Sequence, residues 1–326
     1  MSSKENVLEK KEKKSALSKA GIYICLVALV VVFAILCSMK GVNYLSANNI
    51  SNIFVQTSVI GIVAIGTSMI ILTGGIDLSC GSMLAFNGIF CAILITKGGL
   101  PVPVALIITI VLSCVVGYLT GIGISVGKLP PFIMTLGVMN MAEGAALAMN
   151  GGQPVSGLPG GLNAFAKASL FGIPSFIFVL IGLYALMIFV MHRTKYGYHV
   201  YALGGNPQAA RLSGINTKKL EISVYTLGGL FTGIASILLL ARLSYAAPTS
   251  GIGYEMDAIG SCVIGGISLS GGQGKMFNTL IGALILTIIK NGLQMLDISS
   301  YYQTIVTGAI IVFAVFIDKA EARKAE

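Results

Sequence analysis

The feature that most constrains this chain is a series of apolar blocks, most of them about twenty residues long. At 1.5 Å per residue, a helix of roughly twenty residues crosses the hydrocarbon core of a bilayer. Charged residues make up only 10% of the chain, against about 25% in a soluble domain. We therefore predict an all-α, polytopic membrane protein with about ten transmembrane helices. The blocks cover residues 20–39, 53–72, 82–96, 101–126, 132–149, 173–191, 222–241, 258–269, 276–295 and 302–317.

The distribution of basic residues predicts how the chain crosses the membrane. When the ten blocks alternate in direction, sixteen Lys and Arg residues fall on one side and five on the other. Because short cytoplasmic loops are enriched in positive charge, the first side is the cytoplasm and contains both termini. Topology thus explains the net charge of +9, and no nucleic-acid partner is expected. The expected organisation is a disordered, charged cytoplasmic head at 1–19, a transmembrane domain at 20–317 and a cytoplasmic tail at 318–326.

Two glycine-rich segments, at residues 74–81 and 265–272, agree at six of eight positions. Each adjoins one of the two blocks that are too short to cross a bilayer as a regular helix. Short, glycine-interrupted segments that recur in a transporter predict broken helices along a translocation path. Chance similarity in a chain with 41 glycines is the alternative, and the copies are six spans apart, so no symmetry is inferred. The path candidates in these segments are Gly74, Gly75, Asp77, Ser79, Gly265, Gly266, Ser268 and Ser270.

A few ionisable residues fall in or near the apolar blocks, where burying a charge is costly. Glu143 lies eleven residues past Phe132, at membrane depth. It is either a polar group facing the translocation path or a structural carboxyl. Arg242, Glu255 and Asp257 share one loop on the predicted outer side. They either receive a binding protein through complementary charge or pair with one another.

The pentapeptide at residues 269–273 spells the signature sequence of ATP-binding-cassette (ABC) ATPases. A nucleotide site would also need a glycine-rich loop ending in Gly-Lys-Ser or Gly-Lys-Thr. Here Gly274 and Lys275 are followed by Met276, so the match is coincidental. The chain has no clustered metal ligands either, and we expect neither an enzyme nor a cofactor site.

The longest polar interruption on the predicted inner side spans residues 192–221. Within it, a capping asparagine, a proline at the first helical position, good helix formers and a terminal glycine predict a short surface helix. Such a helix can dock into a soluble partner and pass motion to the spans, although an ordinary solvated helix would have the same pattern. The segment comprises Asn206, Pro207, Gln208, Ala209, Ala210, Arg211, Leu212, Ser213, Gly214 and Ile215.

Residues 201–215 of this loop resemble the coupling region of bacterial ribose-type sugar permeases. Stretches at 74–79, then 241–244 with 248–249 and 253–259, and finally 299–303 resemble the same family in the same order, whereas the head and the loop at 151–168 do not match it. The resemblance implies a subunit of an ABC importer in the bacterial inner membrane. Its expected partners are a second copy of the chain, a separate ABC ATPase that holds ATP and Mg, and an extracytoplasmic sugar-binding protein.

The wider importer family carries Glu-Ala-Ala and a later glycine in its coupling helix. This chain has Gln208, Ala209, Ala210 and Gly214 at those positions, so a neutral amide replaces the acidic contact, while Arg211 remains a donor. The sequence therefore predicts a permease subunit for a simple sugar, with ribose first by resemblance. The rival is an ion-coupled secondary transporter, a class that usually has acidic groups at mid-membrane. Only Glu143 fits that pattern.

Overall fold

The computed structural model describes the backbone of residues 2–325 and the side chains of residues 21–162, 164–166 and 168–316. The head and tail predicted at 1–19 and 318–326 lie outside the residues with described side chains. The helices are α1 (Ser2–Met39), α2 (Ala47–Leu72), α3 (Cys80–Thr96), α4 (Val102–Ser125), α5 (Pro131–Met149), α6 (Gly160–Lys167), α7 (Ser175–Arg193), α8 (Lys195–Gly205), α9 (Pro207–Leu212), α10 (Thr217–Leu243), α11 (Tyr254–Ile264), α12 (Met276–Met295) and α13 (Ser300–Ala325).

The structure confirms an all-α, polytopic membrane protein, and each of the ten apolar blocks overlaps a helix. In the part of the chain that the structure describes, seven helices are long and apolar enough to cross a membrane: α1, α2, α4, α5, α7, α10 and α12. Helix α3 and the part of α13 at Ser300–Phe316 are apolar but shorter. The bounds of α11 differ from the predicted block at 258–269, because two glycines end this helix directly after Ile264.

Helix α2 forms the centre of the bundle, and α10 and α12 pack against it. In its most apolar stretch of 18 residues, 89% of the residues are buried. Helix α10 also packs closely on α4, since Gly117 of α4 faces Gly229 of α10 without intervening side chains. Small residues allow such close approach where lipid gives no hydrophobic drive between helices. The outer helices α1, α4, α5 and α7 are at most 28% buried, so their exposed apolar faces are available to lipid or to another protein.

A two-stranded antiparallel hairpin precedes α7. Its strands, β1 (Ser169–Leu170) and β2 (Ile173–Pro174), pair Ser169 with Pro174 and Leu170 with Ile173. Phe171 and Gly172 form the turn, both with positive φ (53° and 78°), as a two-residue hairpin turn of type I′ requires. Hydrogen bonds from Ser175, just after the hairpin, to the carbonyls of Ala168 and Phe165, just before it, close the base of the hairpin.

Candidate functional site

The two glycine-rich segments end helices in the same way. After α2, Gly74 has a φ of +82° and donates to the Ile71 carbonyl, while Gly75 donates to Ile70. After α11, Gly266 has a φ of +79°, and Gly266 and Ile267 donate to the Val263 and Cys262 carbonyls. This is the pattern by which a left-handed glycine closes a helix. The left-handed glycine is the first residue of segment 74–81 but the second residue of segment 265–272. The two segments therefore share a local structure that is shifted by one residue relative to their sequence match.

The two segments also meet each other in space, and Gly204 at the end of α8 lies between them. The Gly272 amide donates to the Leu72 carbonyl over 2.9 Å. A Cβ on Gly204 would overlap that same carbonyl oxygen and would lie 2.6 Å from the Gly272 nitrogen. A Cβ on Gly271 would lie 2.9 Å from the Gly74 nitrogen. We call Leu72, Gly74, Gly204, Gly271 and Gly272 the glycine junction, where the main chains of three segments touch with no side chain between them.

Helix α9, the predicted coupling helix, follows directly from the glycine junction. Asn206 caps it, since the side-chain oxygen accepts from the Ala209 amide over 2.9 Å, and Gly214 ends it with a φ of +82°. Of the α9 residues, only Ala210 is buried. Arg211 is exposed and the Leu212 side chain is 90% exposed. The helix therefore stands away from the bundle and presents both an apolar and a basic side chain.

A second contact fixes α8 against the loop that precedes α12. The Tyr201 hydroxyl donates to the Gly274 carbonyl over 3.0 Å. Burial raises the pKa of Tyr201, which keeps its hydroxyl protonated as a donor. Ser268 and Ser270 lie in this same loop, where the Ser270 amide approaches the Ser268 hydroxyl at 3.4 Å. Movement of α8 would therefore be transmitted to residues 268–274.

Asp77 and Ser79 lie in the extended connection between α2 and α3. The Asp77 carboxylate accepts from the Ser79 amide over 2.8 Å and from its hydroxyl over 2.6 Å. Both residues line a crevice between α3, α4 and α10 together with Tyr225, whose hydroxyl donates to the Ile76 carbonyl. The crevice has room for little more than one water molecule. A sugar would not fit here in this conformation.

Glu143 does not meet the glycine junction. It lies on an exposed face of α5, together with exposed Asn140. Gly137 and Gly144 lie on the same helix and have open space beyond them. Carboxylate and amide groups are rarely exposed to lipid at membrane depth. This face is therefore suited to another protein surface or to a water-filled path.

Among the described residues, the three charged residues predicted at the outer side form no ion pair with one another. Asp257 is buried and bonds through both carboxylate oxygens to Nζ of Lys290 on α12, at 2.6 and 2.5 Å. Glu255 packs against the backbone of Gly81 at the start of α3. Arg242 lines an open cleft, where its guanidinium also interacts with the Tyr254 hydroxyl. Sequence reasoning missed Lys290 as the counter-ion of Asp257, although an isolated cation in an apolar block signals a need for a buried anion.

Comparisons with known proteins find similarity to membrane transport subunits. Residues 49–315 match the family described as branched-chain amino acid transport system / permease component. The chain is 42% identical over 299 residues to the ribose import permease protein of Escherichia coli (strain K12), covering 90% of this chain and 92% of the relative. It is 37% identical over 308 residues to the ribose import permease protein of Bacillus subtilis (strain 168), covering 94% of each. The identity is 34% over 339 residues with the galactose/methyl galactoside import permease protein of Salmonella typhimurium, covering 98% and 99%. No solved structure matches the chain.

Proposed function

This chain belongs to the ribose-type permease family of ABC transporters, and from that premise we propose that it forms the membrane path of an importer for a simple sugar. A multi-pass protein of the bacterial inner membrane, it is a transport subunit and not an enzyme. ATP hydrolysis then takes place on a separate ABC ATPase, which holds ATP and Mg. An extracytoplasmic sugar-binding protein delivers the substrate, and both termini of the chain lie in the cytoplasm.

The observation that carries this proposal is the glycine junction. The exposed helix α9 begins three residues after Gly204, whose backbone touches Leu72 at the end of α2 and Gly272 in the loop before α12. A partner that moves α9 would therefore displace both broken segments together. An ion-coupled secondary transporter has no need of such an exposed helix joined to its path.

Ribose is the first substrate to test, because two of the relatives described above are ribose import permeases. Other relatives are named for xylose, D-allose and galactose transport, so the class of substrate is a monosaccharide. We place the translocation path between two copies of the chain. The exposed face of α5 with Asn140 and Glu143 would then pack against its counterpart around a twofold axis, which removes both polar side chains from lipid.

Co-purification with the ABC ATPase encoded beside this chain tests the proposed function. Replacing Leu212, which is 90% exposed, by glutamate is expected to abolish recovery of the ATPase, since a charge would enter an apolar contact. Leu170→Glu is the matched control, because Leu170 is 56% exposed at the other end of the bundle. Native mass spectrometry should find two copies of each subunit in the wild-type complex. Ion-driven solute uptake by the wild-type chain alone, without any bound ATPase, would instead support a secondary transporter.

Two neighbouring glycines provide a test of the junction itself. Gly204→Ala would push a Cβ into the Leu72 carbonyl, whereas Gly205→Ala has no atom within 4 Å of the new Cβ. We expect Gly204→Ala to reduce sugar uptake by roughly tenfold or more in cells, because main-chain atoms of the junction must separate. Gly205→Ala should transport like the wild type. The sugar used in this assay is the one that the wild type takes up fastest among labelled ribose, xylose, allose and galactose, and this comparison also identifies the substrate. Equal uptake by the two variants, at equal amounts of protein in the membrane, would count against a role of the junction in coupling.

A further inference from the structure

The end of the bundle opposite the glycine junction carries an open cleft of about 460 Å³. Four elements meet there: the start of α2, the end of α6, the end of α10 and the β1–β2 hairpin. Both long helices have their other ends at or near the coupling side, since α2 ends at Leu72 and α10 begins just after the coupling segment. The cleft is therefore on the face that receives the sugar in the proposed function.

The lining of the cleft is polar, and among its described residues it carries one charged side chain, that of Arg242. Asn48, Ser51 and Asn52 of α2 line it together with Arg242 of α10, and none of the described lining residues is a carboxylate. Neither Asn48 nor Asn52 makes a side-chain hydrogen bond to the residues that the structure describes. The cleft thus offers an arginine and free amide groups, a set that suits a carboxylate with additional hydrogen-bonding groups.

The hairpin adds an apolar contact beside this polar cleft. Ser169, Gly172 and Pro174 of the hairpin line the cleft, so the hairpin tip adjoins its rim. Phe171 at the tip is 92% exposed, and Leu170 and Ile173 beside it are 56% and 42% exposed. A large aromatic side chain held on a tight turn, next to a basic pocket, has the composition of an interface anchor.

We propose that this cleft and the Phe171 tip together form the docking surface for the extracytoplasmic sugar-binding protein. The partner surface is expected to insert an acidic side chain towards Arg242 and to cover Phe171 with an apolar patch. The positive charge of Arg242, with no acid among the described residues of the lining, selects an acidic partner. Asp257 takes no part, because it is already paired with Lys290. This inference rests on the proposed function.

The test uses the complex of this chain with its ABC ATPase in lipid nanodiscs and the purified sugar-binding protein encoded beside it. Arg242→Glu and Phe171→Ser are each expected to raise the Kd for the binding protein by roughly tenfold or more. The controls are Lys97→Glu and Leu45→Ser. The Lys97 ammonium bonds to Asn150, and the Leu45 side chain is 54% exposed. Neither residue lines the cleft, and both controls should keep the wild-type Kd. Replacing the acidic residue of the binding protein that faces position 242 by lysine should restore its affinity for the Arg242→Glu variant.

The outcomes separate this inference from the proposed function. If the wild-type complex binds the binding protein and transports sugar, but Arg242→Glu binds equally well, the docking inference is wrong and the importer assignment stands. An unchanged Kd for Phe171→Ser would likewise overturn it. If the wild-type complex neither binds the binding protein nor transports sugar, the proposed function fails with it.

Discussion

Replacing Lys290 by methionine is expected to lower the free energy of unfolding by about 3 kcal/mol, the lower end of the range for breaking a buried ion pair. The variant leaves the Asp257 carboxylate, whose side chain is only 4% exposed, without its counter-charge. The Lys290 side chain is 29% exposed, so solvent screening places the effect at the lower end. Reversible unfolding of the purified protein in mixed micelles measures the change.

The double variant Asp257→Asn with Lys290→Met separates the charge effect from a packing effect. It removes both charges, so most of the stability lost in Lys290→Met should return. Lys97→Met is the matched control, because the hydrogen bond from Lys97 to Asn150 is exposed to solvent and its loss should change stability by less than about 0.5 kcal/mol. A Lys290→Met variant as stable as this control would show that the ion pair contributes little.

The second large effect is expected for Gly229→Ala in α10. A Cβ at this position would overlap the Ser113 carbonyl oxygen of α4, and a backbone atom cannot turn aside as a flexible side chain can. The same contact includes a hydrogen bond from the Ser113 hydroxyl to the Gly229 carbonyl over 2.6 Å. Separating the two helices should cost about 2–3 kcal/mol, as overpacking of a tight core does.

Gly182→Ala provides the comparison for this prediction. Gly182 lies within α7 and has no atom within 4 Å of an added Cβ. Alanine should leave stability unchanged or raise it by up to about 1 kcal/mol, because alanine favours a helix over glycine. The same unfolding measurement applies, with crystallisation or cross-linking between α4 and α10 as a check of their separation. Equal stability of the two variants would mean that α4 and α10 adjust to the methyl group without loss.

Features that depend on residues close together in the chain followed directly from the amino-acid sequence. The length of the apolar blocks determined the all-α membrane fold, because crossing the bilayer needs a fixed number of residues. The start of α9 followed from Asn206 and Pro207, and its end from Gly214, since capping acts within a few residues. The glycine-rich matches at 74–81 and 265–272 likewise marked the broken helices. Block 258–269 was placed incorrectly because α11 begins in the loop at Tyr254 and ends before Gly265.

Only the tertiary structure decided which distant residues meet. Lys290 pairs with Asp257, 33 residues away, and Gly204 touches both glycine-rich segments. Glu143 faces out from α5, and the cleft that contains Arg242 needs the hairpin at Phe171 to complete it. Such contacts depend on how whole helices pack. Helix packing is the sum of many weak contacts between residues far apart in the chain, whereas block length and helix caps are set by a few neighbouring residues.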